Sequence, residues 1–407
     1  VAGEYNQAFG VNALLACTGG DFNVGIGHNA ITASDTEQHN IGIGHGALQT
    51  VNSGGEGNVA IGSYALDAVT SGDYNTALGY NAGSSLTSGG NSTFIGKSAG
   101  SAVTDAHENM CIGSEAGASI TTGGGNTMIG RECGDGFDAE THNVAIGLGA
   151  FGGAVNGGEY NVCVGNYSLD AAVTGDNNTA IGHGAGGANT SGGANTFVGH
   201  EAGVTVTTGG NNVLIGAAAG SYDGTDLTTG GNNICLGNYT KVSAADSGYQ
   251  FVIGYYITGG EDSEIAVGRT SNVVRMQFDT DATWTRDSDL RKKKNIKPDV
   301  LGLDFVNDLN TVTFNWRPNN EFPKEWDDYK EENEMNLDAT MHGLIAQDVK
   351  EALDKAGVDT FGGWKLNNDG SQRLSNDMFV FPLIKAVQEL SAEVTTLKQE
   401  VNTLKGG

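Results

Sequence analysis

An apolar triplet flanked by Asn and Gly recurs from residue 6 to residue 237 of the chain. Fourteen copies run from "NQAFG" and "NVGIG" through "NTALG", "STFIG" and "NTMIG" to "NVLIG" and "NICLG". Their closing glycines, from Gly10 and Gly27 to Gly216 and Gly237, are 17 residues apart, with two steps of 18 and a last one of 21. Degenerate copies end at Gly254 and Gly268. A short unit at fixed spacing, too small to bury its own apolar residues, predicts coils stacked into a solenoid. Strand side chains alternate, so Thr76 and Leu78 share one face and Ala77 takes the other. The equivalent positions are uncharged on both faces in every copy.

The rest of each copy fits a flat coil. Three positions after the Gly stands Ala in eleven copies, with Cys133, Ser168 and Thr240 as the exceptions. Small side chains there let two layers approach closely. A turn rich in Ser, Thr and Gly, such as "LTSGGN", leads to the next triplet. The opening position is Asn thirteen times and Ser92 once. Stacked coils bring these side chains about 4.8 Å apart, close enough for amides to bond into a ladder. A strand apolar on both faces is normally covered on both. One face fills the coil's interior; the other requires a second chain, and a rod wound about a three-fold axis satisfies it. Sixteen coils at roughly 4.8 Å give a shaft of about 75 Å.

The pattern changes twice further on. Residues 1–240 form the repeat, and residues 241–287 read as a neck or tip in which "VVRMQFDTDATWT" predicts one or two ordinary strands. From residue 288 Gly falls while Lys, Asp, Glu and Leu rise, which predicts a small α+β domain over 288–407. It ends in a helix: Leu383, Val387, Leu390, Val394, Leu397, Val401 and Leu404 alternate four and three apart, the seam of a coiled coil over about 381–405. The expected architecture is therefore mainly β: a homotrimeric parallel β-roll or β-solenoid, then an α+β domain with a trimeric coiled coil.

Composition narrows the function. The chain has 407 residues, 65 of them Gly and only 4 Pro, a balance that excludes collagen and proline-rich linkers. Its net charge of −27 repels phosphate and anionic membrane surfaces, so no nucleic-acid partner and no membrane insertion is expected. The chain begins with Val, which suggests that a preceding N-terminal part is missing. Cys111, Cys163 and Cys235 fall in the column of Ala60 and Ala77, and Cys133 in the Ala column, where they read as small buried hydrophobes. "GKS" at 96–98 has Asn91 where a phosphate-binding loop needs Gly. His28 with His45, and His183 with His200, should stack one rung apart. Such a rung in a trimer is a possible transition-metal site; solvated surface imidazoles are the plainer reading, and no metal or cofactor is expected.

The most basic dozen, "RDSDLRKKKNIK" at 286–297, stands against this acidic background. By itself it reads as a solvated charge run. Residues 288–407 carry 15 of the 21 Lys and Arg.

Two resemblances attach to these patterns. The "NxAIGxxAxxxxTxGxN" repeat resembles the left-handed β-roll of trimeric autotransporter adhesin heads of the YadA type and of related phage fibre shafts. "SDLRKKKNI" (288–296), "MHGLIAQDV" (341–349) and "FPLIKAVQEL" (381–390) together resemble the self-cleaving intramolecular chaperone domain of phage tailspikes, tail fibres and endosialidases. Ser288, Asp289, Arg291, Lys293, Asn295 and Ile296 match that family's first motif; Lys292 replaces a Leu, and "RLSNDMFV" departs from the usual pattern before the last helix.

That resemblance implies a Ser–Lys autoprotease cutting its own chain once, between Asp287 and Ser288. Ser288 is the implied nucleophile, Lys293 the general base, and His342 a helper in positioning or proton transfer, or else a structural hydrogen-bonding group beside the strand "GLIAQ". A Lys acts as a base only when burial or nearby cations lower its pKa, and Arg291, Lys292 and Lys294 supply such cations. The expected function is a structural virion tail fibre for host attachment, assembled in the host cytoplasm and then extracellular. Its partners would be two further copies of itself, a host surface receptor (a glycan or an outer-surface protein) and the virion tail or baseplate. A bacterial trimeric surface adhesin and a polysaccharide-depolymerising tailspike are the alternatives.

Overall fold

The computed structural model of the chain describes residues 3–153, 157–171, 173–222, 224, 226–270, 272–278, 285–286, 290, 293–324, 329, 331–333, 338, 340–367 and 370–406. Two compact units divide the chain, Val1–Asp287 and Ser288–Gly407.

The first unit is a β-solenoid. Fourteen three-residue strands, β1 (Gln7–Phe9) to β14 (Ile234–Leu236), are followed by β15 (Phe251–Tyr255) and β16 (Glu264–Arg269). Each pairs in parallel with the next in chain order, so sixteen strands enclose about fifteen turns. The register aligns like with like: Ala60 opposes Ala77, Ala77 opposes Phe94, and Phe94 opposes Cys111. These central residues are fully buried, as are the small residues of the second layer such as Ala65, Ala82, Ala99 and Cys133. Bulk varies along the column, from Gly25 and Ala77 to Phe94 and Met128, and the Phe94 ring and Met128 side chain lie against the Cβ-less positions Gly100 and Gly134. The periodicity alone placed these triplets, because a two-residue alternation closed by Gly has few other foldings.

Amide-to-amide bonds join Asn75 to Asn58, Asn212 to Asn195 and Asn233 to Asn212 in the buried Asn column, and bonds to the backbone run along it besides. Asn126 accepts at Oδ1 from the Asn143 backbone N–H, 2.9 Å, and donates from Nδ2 to the Glu140 carbonyl, 2.8 Å. The pattern repeats at Asn58, which accepts from Asn75 N and donates to Gly72 O. Ser92 keeps the chain of contacts, its Oγ accepting from Asn109 N at 3.1 Å. Each amide therefore serves backbone groups of two coils that the flat turn would leave unpaired. A buried backbone group without a partner costs about 1–3 kcal/mol, which is why a polar residue is fixed at the centre of an otherwise apolar coil.

The flanking residues of each triplet point outward and are half-buried or exposed. Ile26, Leu78, Ile181 and Ile215 are among the exposed large hydrophobic residues. Four thiols face the opposite way. Burial pushes Cys111, Cys133 and Cys235 up to about 12, and Cys163 well above its usual value. Cys17 is half-buried and is also raised, by desolvation first. A thiol reagent applied to the folded protein near pH 8 should therefore modify Cys17 alone, slowly. All five should react in denaturant; rapid labelling of Cys163 in the folded state would contradict this packing.

The parallel stack ends in antiparallel strands. β17 (Asn272–Gln277) folds back on β16, and β18 (Thr285–Arg286) pairs with β17. Glu264 stands in the column that Asn occupies earlier and is buried. Its Oε1 accepts from Arg275 Nη1 at 2.5 Å and from Gly260 N at 2.8 Å, while Arg275 Nη2 donates to Thr258 O at 2.9 Å. Arg275→Ala leaves this carboxylate buried without its cation and should destabilise the hairpin by about 3 kcal/mol. Hydrogen exchange of the β16–β17 amides reads the effect; protection equal to the parent's would show that the pair does not close the hairpin.

The second unit contains α1 (Leu303–Asn307), β19 (Thr311–Phe314), β20 (Met341–Leu344), α2 (Ala346–Lys355), β21 (Trp364–Leu366), β22 (Gln372–Leu374) and α3 (Val380–Lys405). β19 with β20, and β21 with β22, form two-stranded antiparallel ladders. The core is small: Leu301, Phe305, Val349, Ala352 and Leu353 are buried, with Leu344, Phe361, Trp364 and Phe379 packed around them. α3 is a single 26-residue helix, and the heptad residues from Leu383 to Leu404 are all exposed. Among the described residues no helix is long and apolar enough to cross a membrane.

Candidate functional site

The chemistry-bearing segments of the second unit come from three parts of its sequence. Lys293 lies in an exposed stretch ahead of α1, its N–H donating to the Leu290 carbonyl at 3.1 Å. Asn295, two residues on, holds a φ of 57°, a left-handed turn that Asn tolerates. Leu290, Ile296 and Val300 project beside it, exposed. Asp287 and Ser288, the expected scissile pair, lie outside the described residues, as do Asp289, Arg291 and Lys292.

His342 is placed by the β19–β20 ladder. Thr313 is its partner across the ladder, and Gly343 pairs with Val312. "GLIAQ" is thus not one strand: β20 stops at Leu344, Ile345 caps the helix, and α2 begins at Ala346. The break turns Val349, Ala352 and Leu353 into the core, while His342 stays exposed. It lines an open, mainly apolar cavity of about 750 Å³, with Val306, Leu309, Leu344 and Phe379 among the walls.

α3 carries a contact that no local pattern announced. The Glu389 carboxylate accepts from the Leu303 N–H at 2.7 Å and pairs with Lys385 at 3.1 Å. It thereby satisfies a free N–H at the start of α1. The bond to Leu303 N first, and Lys385 second, hold its carboxyl below the usual range. Eighty-six residues separate the partners, so only the folded structure brings them together. The helix that ends the chain is in this way tied to the segment that follows Lys293.

What this arrangement can do is bounded by exposure. Lys293 is exposed in the single chain, and a base of this type needs desolvation or adjacent cations. The groove by His342 and the seam of α3 are apolar surfaces of the unit left open in the single chain.

Residues 288–358 match the family described as chaperone of endosialidase, a self-cleaving chaperone domain. The match takes in Lys293 and His342 and most of the unit's core; β21, β22 and α3 lie beyond it. The chain thus carries a chaperone-type domain of that kind, preceded in sequence by a β-solenoid shaft. No curated protein and no solved structure gives a significant match.

Proposed function

We propose that this chain is a fibre of the tail-fibre or tailspike type, trimeric in its working form. Its C-terminal domain brings three chains into register and then releases itself by one self-cleavage between Asp287 and Ser288. The observation that carries the reading is a match to a self-cleaving chaperone on a chain whose shaft strands and final helix both present uncovered apolar faces. A long parallel stack forms slowly and exposes strand edges while it does so. Three copies joined at α3 would raise the local strand concentration, and the fibre would attach a virion to a surface receptor on its host, a glycan or an outer-surface protein.

The cleavage chemistry follows from the position of Ser288 immediately after the scissile carbonyl. Its Oγ attacks the carbonyl carbon of Asp287 while Lys293 takes the hydroxyl proton. The C–N bond breaks, the amine receives that proton, and an ester joins the two residues. Water then hydrolyses the ester, leaving a carboxylate on Asp287 and free Ser288. His342 would assist proton transfer if the three-chain assembly folds its groove over Lys293.

A second reading, a polysaccharide-cleaving tailspike, has one observation behind it. Asp135 and Asp170 each place an oxygen 3.2 Å from the point where a Cβ on Gly152 would stand, and desolvation raises both carboxyls. Paired carboxyl groups are what glycoside hydrolysis uses. Release of reducing ends from a host polysaccharide, lost in Asp135→Asn, would favour it over a purely structural shaft.

Sedimentation equilibrium of the purified protein tests the principal reading. Three chains per particle are expected; a stable monomer with the sheet face open to water would sink it.

A further inference from the structure

The repeat places chemistry on the shaft surface that neither folding nor cleavage uses. His183 and His200 each follow a strand-closing glycine, Gly182 and Gly199, and the pairing of Ile181 with Val198 holds them in register on adjacent coils. Their rings stack with centroids 5.3 Å apart and planes 10° from parallel. Glu201 comes next in the chain. Its backbone N–H donates to the His183 carbonyl at 2.9 Å, so the backbone of all three residues is fixed by the coil ladder. Gly184 leaves the space beside Glu201 open: a Cβ there would lie 3.5 Å from Glu201 Cγ. One ligand atom from each side chain falls within 4.8 Å of the other two, and all three residues are exposed.

Two imidazoles and a carboxylate are the donors of a borderline transition metal. Zinc bonds His nitrogen at about 2.0–2.1 Å and carboxylate oxygen at about 2.0–2.2 Å, and often takes three protein ligands with water in the fourth place. The side chains need only turn about their exposed torsions to close on such an ion. Calcium and magnesium prefer oxygen donors throughout and would not select this set. The acidic chain adds a field that draws cations inward.

The same chain holds a built-in comparison. His28 and His45 stack in the same column at 5.1 Å, but Asn29 and Gly46 follow them, and no carboxylate takes the place of Glu201.

We propose that His183, His200 and Glu201 form a divalent transition-metal site, zinc-like in its ligand set, that clasps two neighbouring coils of the shaft. The site is independent of the chaperone and of the trimer, since all its ligands belong to one chain. An ion bound only to the folded coil would raise the shaft's melting temperature in a concentration-dependent way.

The test is a titration of the metal-free full-length protein with zinc chloride against a chromophoric chelator, repeated with cobalt to read the coordination spectrum. The parent should bind one ion per chain tightly, with the intense visible bands of a four-coordinate cobalt site. His200→Ala should abolish that binding, Glu201→Gln should weaken it by more than about 100-fold, beyond the roughly 10–100-fold that an outer-shell change produces, and His28→Ala should leave it unchanged. A parent that binds no better than His200→Ala overturns the proposal. So does an unaltered Glu201→Gln, or equal loss on His28→Ala, since either would mean that paired imidazoles alone hold the ion. Circular dichroism of each variant, all substituted at exposed positions, confirms that the coils are intact.

Discussion

Gly130→Ala should prevent the shaft from closing into one continuous stack. Gly130 ends the eighth triplet with φ at +138°, a conformation open in practice only to Gly. A Cβ built there would stand 2.2 Å from the Gly147 carbonyl oxygen and 2.6 Å from its carbon. Both contacts are to the backbone of the next coil, which is itself bonded to the coil after it, so relief requires moving the ladder. Strain at a Gly-only conformation added to a backbone clash in close-packed surroundings should cost more than about 4 kcal/mol. Gly19→Ala is the matched control. Its φ lies outside the left-handed region, and its Cβ would meet Thr36 Cγ2 at 3.5 Å and the Asp35 carbonyl oxygen at 4.0 Å, both ordinary contacts. It should stay within about 1 kcal/mol of the parent. Denaturant melts of the three proteins decide it, and a Gly130→Ala shaft as stable as Gly19→Ala would remove the close-approach argument.

The same coil geometry explains how much could be read in advance. The triplets declare themselves because register, burial and turn all repeat every 17 residues or so, and Ala77 or Cys163 could be assigned to the core from one copy by comparison with the rest. The partners of the Asn column were not legible in the same way. That Asn126 serves the backbone of Asn143 and Glu140 depends on how flat the turn is, and the sequence shows only that Asn recurs. Arg275 with Glu264, and Glu389 with Leu303, were invisible for a different reason: each is a single pairing that no repeat advertises. The long helix was foreseen from its heptads, and α3 does run Val380–Lys405. At the candidate cleavage site the motifs pointed to residue types, and the fold located Lys293 and His342 on separate segments, one before α1 and one on β20.

Ser288→Ala and Lys293→Ala should each leave the chain whole at 41.9 kDa over the time in which the parent is expected to separate between Asp287 and Ser288. Removing the nucleophile ends the reaction outright. Removing the proposed base should slow it by about 10²–10⁴-fold, and His342→Ala should slow it less, because the role proposed for it is only to assist the transfer assigned to Lys293. Intact-chain mass spectrometry over a time course measures all three. The stronger demand falls on a variant that touches none of them. Lys293 is exposed in the single chain, so if it is the base and needs desolvation beyond what neighbouring cations supply, that desolvation would come from assembly. Leu397→Asp places a charge in the exposed seam of α3, disfavours its burial between helices, and lies outside the matched region 288–358. It should reduce cleavage in parallel with the loss of trimer seen by sedimentation. Cleavage at the parent's rate in monomeric Leu397→Asp would mean that one chain activates its own Lys293, and self-release would then no longer report that three chains had folded together.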